Sequence, residues 1–144
     1  MGRAMLVGAV GAGKSTLIAA LKGDSLNVRK TQAMEFDSYT VDTPGEYIEN
    51  PRFYRALLAT ALQVKDVLFL QDATSERCIY PPGIAQSFPC GTIGVITKID
   101  HPEANLEKAK QLLKTVALKS NDVYVVSAIN GQGIKELKER LARE

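Results

Sequence analysis

The chain has 144 residues, 45% of them hydrophobic and 24% charged, which is the balance of one ordinary globular domain. Its formal net charge of +2 excludes the strongly basic surface of a nucleic-acid binder, and its tightest basic pair, Arg29-Lys30, is too short for a polybasic membrane patch. No apolar run approaches the ~20 residues that span a bilayer, and Met5-Leu6-Val7 is too short for the core of a signal peptide, so a cytoplasmic protein is expected.

In chain order, Arg3 to Val7 is a short apolar run ending in glycine and reads as a buried strand. Leu17, Ile18 and Leu21 give residues Lys14 to Lys22 a helical period, with Gly23 as the stop. Ala33 to Phe36 and Tyr39 to Val41 flank Asp37-Ser38 as a tight hairpin. Asn50 and Pro51 open a helix whose inward face carries Phe53, Leu57, Leu58, Ala61 and Leu62.

Asp66 to Leu70 reads as a buried parallel strand. Pro81-Pro82-Gly83 is a turn before a short helix ending near Phe88, and Thr92 to Ile96 is the next buried strand. Pro102 is expected to open a helix with Leu106, Ala109, Leu112, Leu113 and Val116 on one face. Val123 to Val126 is the last strand, and Gly133 precedes a helix with Ile134, Leu137 and Leu141 facing inward.

This alternation predicts a three-layer α/β/α fold of the P-loop NTPase kind, in a single domain. Its mostly parallel sheet should hold five to six strands, with one short antiparallel strand at the edge. Ligands of such sheets sit beyond the carboxyl ends of the strands, where every motif below falls. Cys78 and Cys90 have neither C-x-x-C nor zinc spacing and read as reduced thiols.

Gly8-Ala9-Val10-Gly11-Ala12-Gly13-Lys14-Ser15 fits G-x-x-x-x-G-K-S/T between a strand and a helix. Its glycines let backbone N–H groups turn inward around a phosphate, and the helix start adds partial positive charge. Lys14 should reach the β- and γ-phosphates, Ser15 should ligate Mg2+, and Thr16 completes the binding turn. Asp42-Thr43-Pro44-Gly45 ends the next parallel strand. Asp42 there can hold Mg2+ through water, and the Gly45 N–H can meet a γ-phosphate.

Thr97-Lys98-Ile99-Asp100 follows a strand end. The Asp100 carboxylate can accept from both the ring N–H and the exocyclic amine of guanine, a donor pair adenine lacks. The stem of Lys98 can lie across the base. In Ser127-Ala128-Ile129, a backbone N–H can meet the guanine carbonyl. The expected ligands are therefore GTP or GDP with Mg2+. His101 beside Asp100 is assigned no role.

Taken together, these stretches resemble the translation-factor-type GTPase superfamily. Lys30-Thr31-Gln32-Ala33, Asp42-Thr43-Pro44-Gly45-Glu46-Tyr47 and Tyr80-Pro81-Pro82-Gly83 resemble more narrowly the ethanolamine/propanediol-utilisation family, EutP/PduV. The resemblance covers essentially the whole chain. It implies a bacterial protein of ethanolamine or propanediol breakdown, associated with a microcompartment. It also implies that Thr31 is the switch threonine that meets Mg2+ and the γ-phosphate, about ten residues before Asp42.

Glu46 stands where efficient GTPases carry a water-orienting glutamine, and Val10 crowds the attacking side of the phosphate. A carboxylate beside a γ-phosphate is repelled unless protonated or turned away. Slow hydrolysis follows, at or below about 10⁻⁴ s⁻¹. With Lys14 and Gly45, Glu46 is the catalytic candidate.

Three functional readings stand at this point. One is a nucleotide switch or slow GTPase, in which Tyr47, Ile48, Phe53 and Tyr54 border the second switch. Those four can dock a protein partner, a microcompartment shell or a metabolic enzyme, unless Phe53 faces the core. The second is a phosphotransferase to a small carboxylate, with Glu46 near the γ-phosphate. The third is a docking module with a structural nucleotide site, which would show exposed apolar patches.

Overall fold

The computed structural model describes residues 3–22, 35–36, 40–43 and 45–142; the side chains of Lys22, Glu35, Phe36, Thr40, Val41, Asp42 and Glu46 are outside that description. The strands are β1 (Ala4–Val7), β2 (Glu35–Phe36), β3 (Thr40–Asp42), β4 (Asp66–Asp72), β5 (Gly91–Thr97) and β6 (Val123–Val125). The α-helices are α1 (Lys14–Lys22), α2 (Gly45–Glu49), α3 (Tyr54–Ala61), α4 (Leu106–Lys114) and α5 (Ile134–Ala142).

Among the described residues the sheet has six strands, in the order β2-β3-β1-β4-β5-β6. All neighbours are parallel except β2, which pairs antiparallel with β3 through Glu35 with Asp42 and Phe36 with Val41. The expected fold class is therefore present, edge strand included. The Asp37-Ser38 turn lies outside the described residues.

Strand alternation builds the three layers. Met5, Val7, Val67, Phe69 and Ile96 join Ile48, Leu57, Ala61, Ala109 and Leu113, from α2, α3 and α4, in one core. Ala4, Leu6, Leu68, Leu70, Ile93 and Val95 join Leu17, Ile18, Ile134 and Leu137, from α1 and α5, in the other. Consecutive strand residues point to opposite faces, so each central strand must be apolar on both. Burying one such side chain contributes about 1.5–3 kcal/mol, which explains why β1 and β4 are near-continuous apolar runs.

Four local expectations are revised. Residues 51–53 form a 3-10 turn capped by Asn50, whose Oδ1 accepts from the Arg52 N–H at 3.0 Å, and the α-helix starts only at Tyr54. Leu62 caps that helix and is 74% exposed, so it does not join the inward face. Pro102 lies in a turn, and α4 begins after Asn105, whose Oδ1 accepts from the Lys108 N–H at 3.1 Å. Asn105 can satisfy a free helix N–H, which Pro102 cannot do. Finally, α2 starts at Gly45, the last residue of the Asp42–Gly45 motif, where the sequence predicts no helix.

Candidate nucleotide-binding site

The phosphate loop runs from the end of β1 into α1. Gly11 and Gly13 have φ values of 85° and 96°, a left-handed backbone that L side chains rarely adopt. The loop is braced internally by the Ala12 N–H donating to Ala9 O at 3.0 Å. Gly8 is buried, and a Cβ there would press on Leu70 Cβ at 3.1 Å. Val10 stands out from the loop, 52% exposed.

Lys14 is buried, and its Nζ donates to Gly8 O at 3.3 Å, curling the side chain back over the loop. Ser15 and Thr16 follow on the first turn of α1, both half-buried. Asp42 ends β3, where its backbone pairs with Leu6, two residues before Gly8. The strand ends therefore bring Asp42 and the start of α1 to the same edge of the sheet. A hydroxyl, a carboxylate and phosphate oxygens form the hard oxygen set that Mg2+ takes. Among the described residues no group of three or more His, Cys, Asp or Glu gathers to hold a metal. Thr31 lies outside the described residues. Gly45 opens α2, with Glu46 next in that helix.

Thr43, which sequence reasoning left unassigned, is buried, and its Oγ1 donates to Leu6 O at 2.8 Å. That bond ties the Asp42 motif to the strand that carries the phosphate loop.

The base motif is locked onto the same loop. Thr97 Oγ1 donates to Ala12 O at 2.7 Å. Lys98 Nζ donates to Gly11 O at 2.6 Å and to Asp72 Oδ2 at 2.8 Å. The Lys98 backbone has φ 62°, an uncommon conformation for a side-chain-bearing residue, and these two bonds hold it there. Asp72 also accepts from the Thr74 N–H at 2.8 Å and the Thr74 hydroxyl at 2.6 Å. Burial pushes the Asp72 carboxyl upward in pKa. The hydrogen bonds from Lys98 and Thr74 and the Lys98 charge outweigh it, so the group sits below its ordinary value.

A cleft of about 280 Å³ opens beside this motif, bordered by Gly13, Thr16, Thr97, Lys98, Asp100, Ala128 and Ile129. Asp100 is exposed at its lip. Ser127 behaves differently from its neighbours. It is fully buried, its hydroxyl accepts from the Asn130 N–H at 3.2 Å, and it props the loop that presents Ala128 and Ile129.

A second cavity, of about 290 Å³, borders the Ala9–Ala12 end of the phosphate loop. Its other walls are the end of β4 (Leu70, Gln71 and Asp72), with Glu49, Ser75, Arg77 and Ile79. Arg77 Nη2 donates to Glu49 Oε1 at 3.1 Å, joining α2 to the loop after β4. Sequence reasoning missed Asp72 and Arg77. Asp72 was findable, because it too sits at a parallel strand's carboxyl end. Arg77 carries no local pattern.

At the second-switch border, Tyr47 and Phe53 stack with ring centroids 4.5 Å apart and planes 5° from parallel. Phe53 is half-buried, spent on that stack. Among the described residues no helix is long and apolar enough to cross a membrane.

The phosphate loop, the base motif and the parallel sheet between them define a P-loop protein with the GTPase fold. Era from Aquifex aeolicus, solved bound to GDP.AlF4-, superposes with a TM-score of 0.69 at 23% identity, over 97% of this chain and 55% of its own. The sequence pattern of the PduV-EutP family, "Ethanolamine utilisation - propanediol utilisation", matches residues 1–143, and the chain belongs to that family. It is 37% identical to the "Probable acetate kinase EutP" of Salmonella typhimurium, over 99% of this chain and 90% of that protein. It is 33% identical to the "Propanediol utilization protein PduV" of Citrobacter freundii, over 95% and 91%.

Proposed function

We propose that the chain binds GTP and GDP with Mg2+, hydrolyses GTP slowly, and acts as a switch or accessory factor in ethanolamine or propanediol utilisation in the cytoplasm, at a microcompartment. The observation that carries this reading is the Lys98 ammonium, bonded at once to Gly11 O and Asp72. It ties the segment that carries Asp100, which would select guanine, to the loop that would take the phosphates. Ser15 and Asp42, with Thr31 from the switch, would hold Mg2+. The ion would supply charge neutralisation between the β- and γ-phosphates. Lys14 and the Gly45 N–H would bear on the terminal phosphate, and the Ala128–Ile129 backbone on the guanine carbonyl.

Titration with fluorescent GDP, GTP and ATP analogues, with and without Mg2+, tests this reading. Guanine nucleotides should bind with Mg2+-dependent affinity and ATP should not compete. Equal affinity for ATP would remove Asp100 from the role given to it.

A second reading is favoured by the relative named a probable acetate kinase and by the cavity at the Val10 end of the loop. In it, the terminal phosphate passes to a short-chain carboxylate instead of water. Slow hydrolysis serves such a protein, since water is then the competitor. Acyl phosphate formed from GTP and acetate or propionate, trapped as the hydroxamate, separates transfer from switching.

A further inference from the structure

The two cavities take opposite ends of the phosphate loop: the base cleft has Gly13, the second cavity Ala9 to Ala12. A nucleotide with its base against Lys98 and Asp100 runs its phosphates along the loop away from that cleft. The terminal phosphate comes last, on the Val10 side. The second cavity is therefore placed where an acceptor would have to wait.

Its chemistry suits a small carboxylate. Leu70, Ile79 and Val10 provide apolar wall for a short alkyl chain. Arg77 is a planar donor matched to a carboxylate, and it already holds one, that of Glu49. The Arg77 side chain is 75% exposed, so this ion pair contributes little and is readily exchanged. Asp72, the other carboxylate on the cavity, is neutralised by Lys98 at 2.8 Å and repels an incoming anion only weakly. Gln71 is buried, and its Nε2 donates to Arg77 O and Asp72 O, both at 3.3 Å, which holds the Arg77 backbone against the end of β4.

We propose that this cavity is the acceptor subsite of the phosphoryl transfer, with Arg77 exchanging Glu49 for the acceptor carboxylate. The inference rests on the transfer reading above. In the step it serves, an acceptor carboxylate oxygen forms a bond to the γ-phosphorus. The bond from that phosphorus to the β,γ-bridging oxygen breaks. The products are an acyl phosphate and GDP, and no proton is transferred because the acceptor is already ionised.

The test is steady-state transfer by the full chain, with GTP, Mg2+ and either acetate or propionate, and hydroxylamine to trap the acyl phosphate. Arg77→Ala should raise the carboxylate KM about tenfold or more, the loss expected for one charge-assisted hydrogen bond. GTP affinity should stay unchanged, and Arg77→Lys should recover part of the loss. A carboxylate KM that rises less than about threefold in Arg77→Ala, or a GTP affinity that falls in step with it, overturns the subsite while leaving transfer intact. Wild-type protein that binds GTP yet makes no acyl phosphate overturns the transfer reading, and the subsite with it.

Discussion

The base cleft is held by bonds between strand ends and the loop they carry, Thr97 to Ala12 and Lys98 to Gly11, whereas the Val10 cavity is closed by an exposed ion pair between α2 and the loop after β4. The first arrangement costs little to keep in place, because β5 is paired on both sides and its end cannot wander. The second depends on a helix of five residues that begins at Gly45, the end of the Asp42–Gly45 motif. Such a short helix has little stability of its own and is held by its packing, with Ile48 in the core and Tyr47 stacked on Phe53. One end of the site is thus fixed by the strands of the sheet and the other by side-chain contacts alone.

The sharpest way to break this contrast acts on both ends at once. Lys14→Ala should lower triphosphate affinity about a hundredfold and abolish hydrolysis, since in the proposed reading the ammonium bears on the phosphates wherever the base and acceptor sit. Fluorescent-nucleotide titration reads it, with circular dichroism confirming the fold. An effect confined to the recognition end should come next. Asp100→Ala should cost GTP about tenfold to a hundredfold while leaving weak ATP binding unchanged, so the preference narrows. If ATP binding falls equally, the cleft is not a guanine site.

Smaller effects probe how the loops are moored. The Tyr80 hydroxyl is buried within bonding reach of Val7 O at 3.1 Å and Leu70 O, and burial pushes its pKa well above normal, so it stays a neutral donor. Tyr80→Phe should destabilise the fold by about 1 kcal/mol and lower the Tm by a few degrees, read by thermal unfolding.

The smallest change is expected for Asp72→Asn, through its pH dependence. The Asp72 carboxyl has a folded pKa below its ordinary value, so its contribution is present above about pH 4 and is lost as pH falls through the lower folded value. The stability gap between wild type and Asp72→Asn should therefore shrink in acid. A gap that is flat with pH would show that the Lys98 pair adds nothing to the folded state.

Much of this was legible in the amino-acid order. β1 and α1 were read almost to the residue, because an apolar run followed by Gly8 to Ser15 can satisfy its backbone in few other ways. The position of Thr97, Lys98 and Asp100 at the carboxyl edge of the sheet was legible because they end or follow a buried parallel strand. α2 was not legible, since five residues carry too little periodicity to register. The start of α4 is ambiguous in the sequence because Pro102 and Asn105 both signal a helix start, and only the side chain that closes a hydrogen bond decides between them.

The sequence by itself determined the alternating α/β order, the phosphate loop and the residue types suited to guanine, because each follows from local backbone freedom, periodicity or donor pattern. Tertiary structure alone decided that Lys98 bridges the phosphate loop and Asp72, that Thr43 binds β1, and that Arg77 meets Glu49 beside Val10. Those contacts join residues as much as 87 positions apart. The physical reason is that strand order in a sheet does not follow chain order, so a contact across it has no periodic signature in the chain.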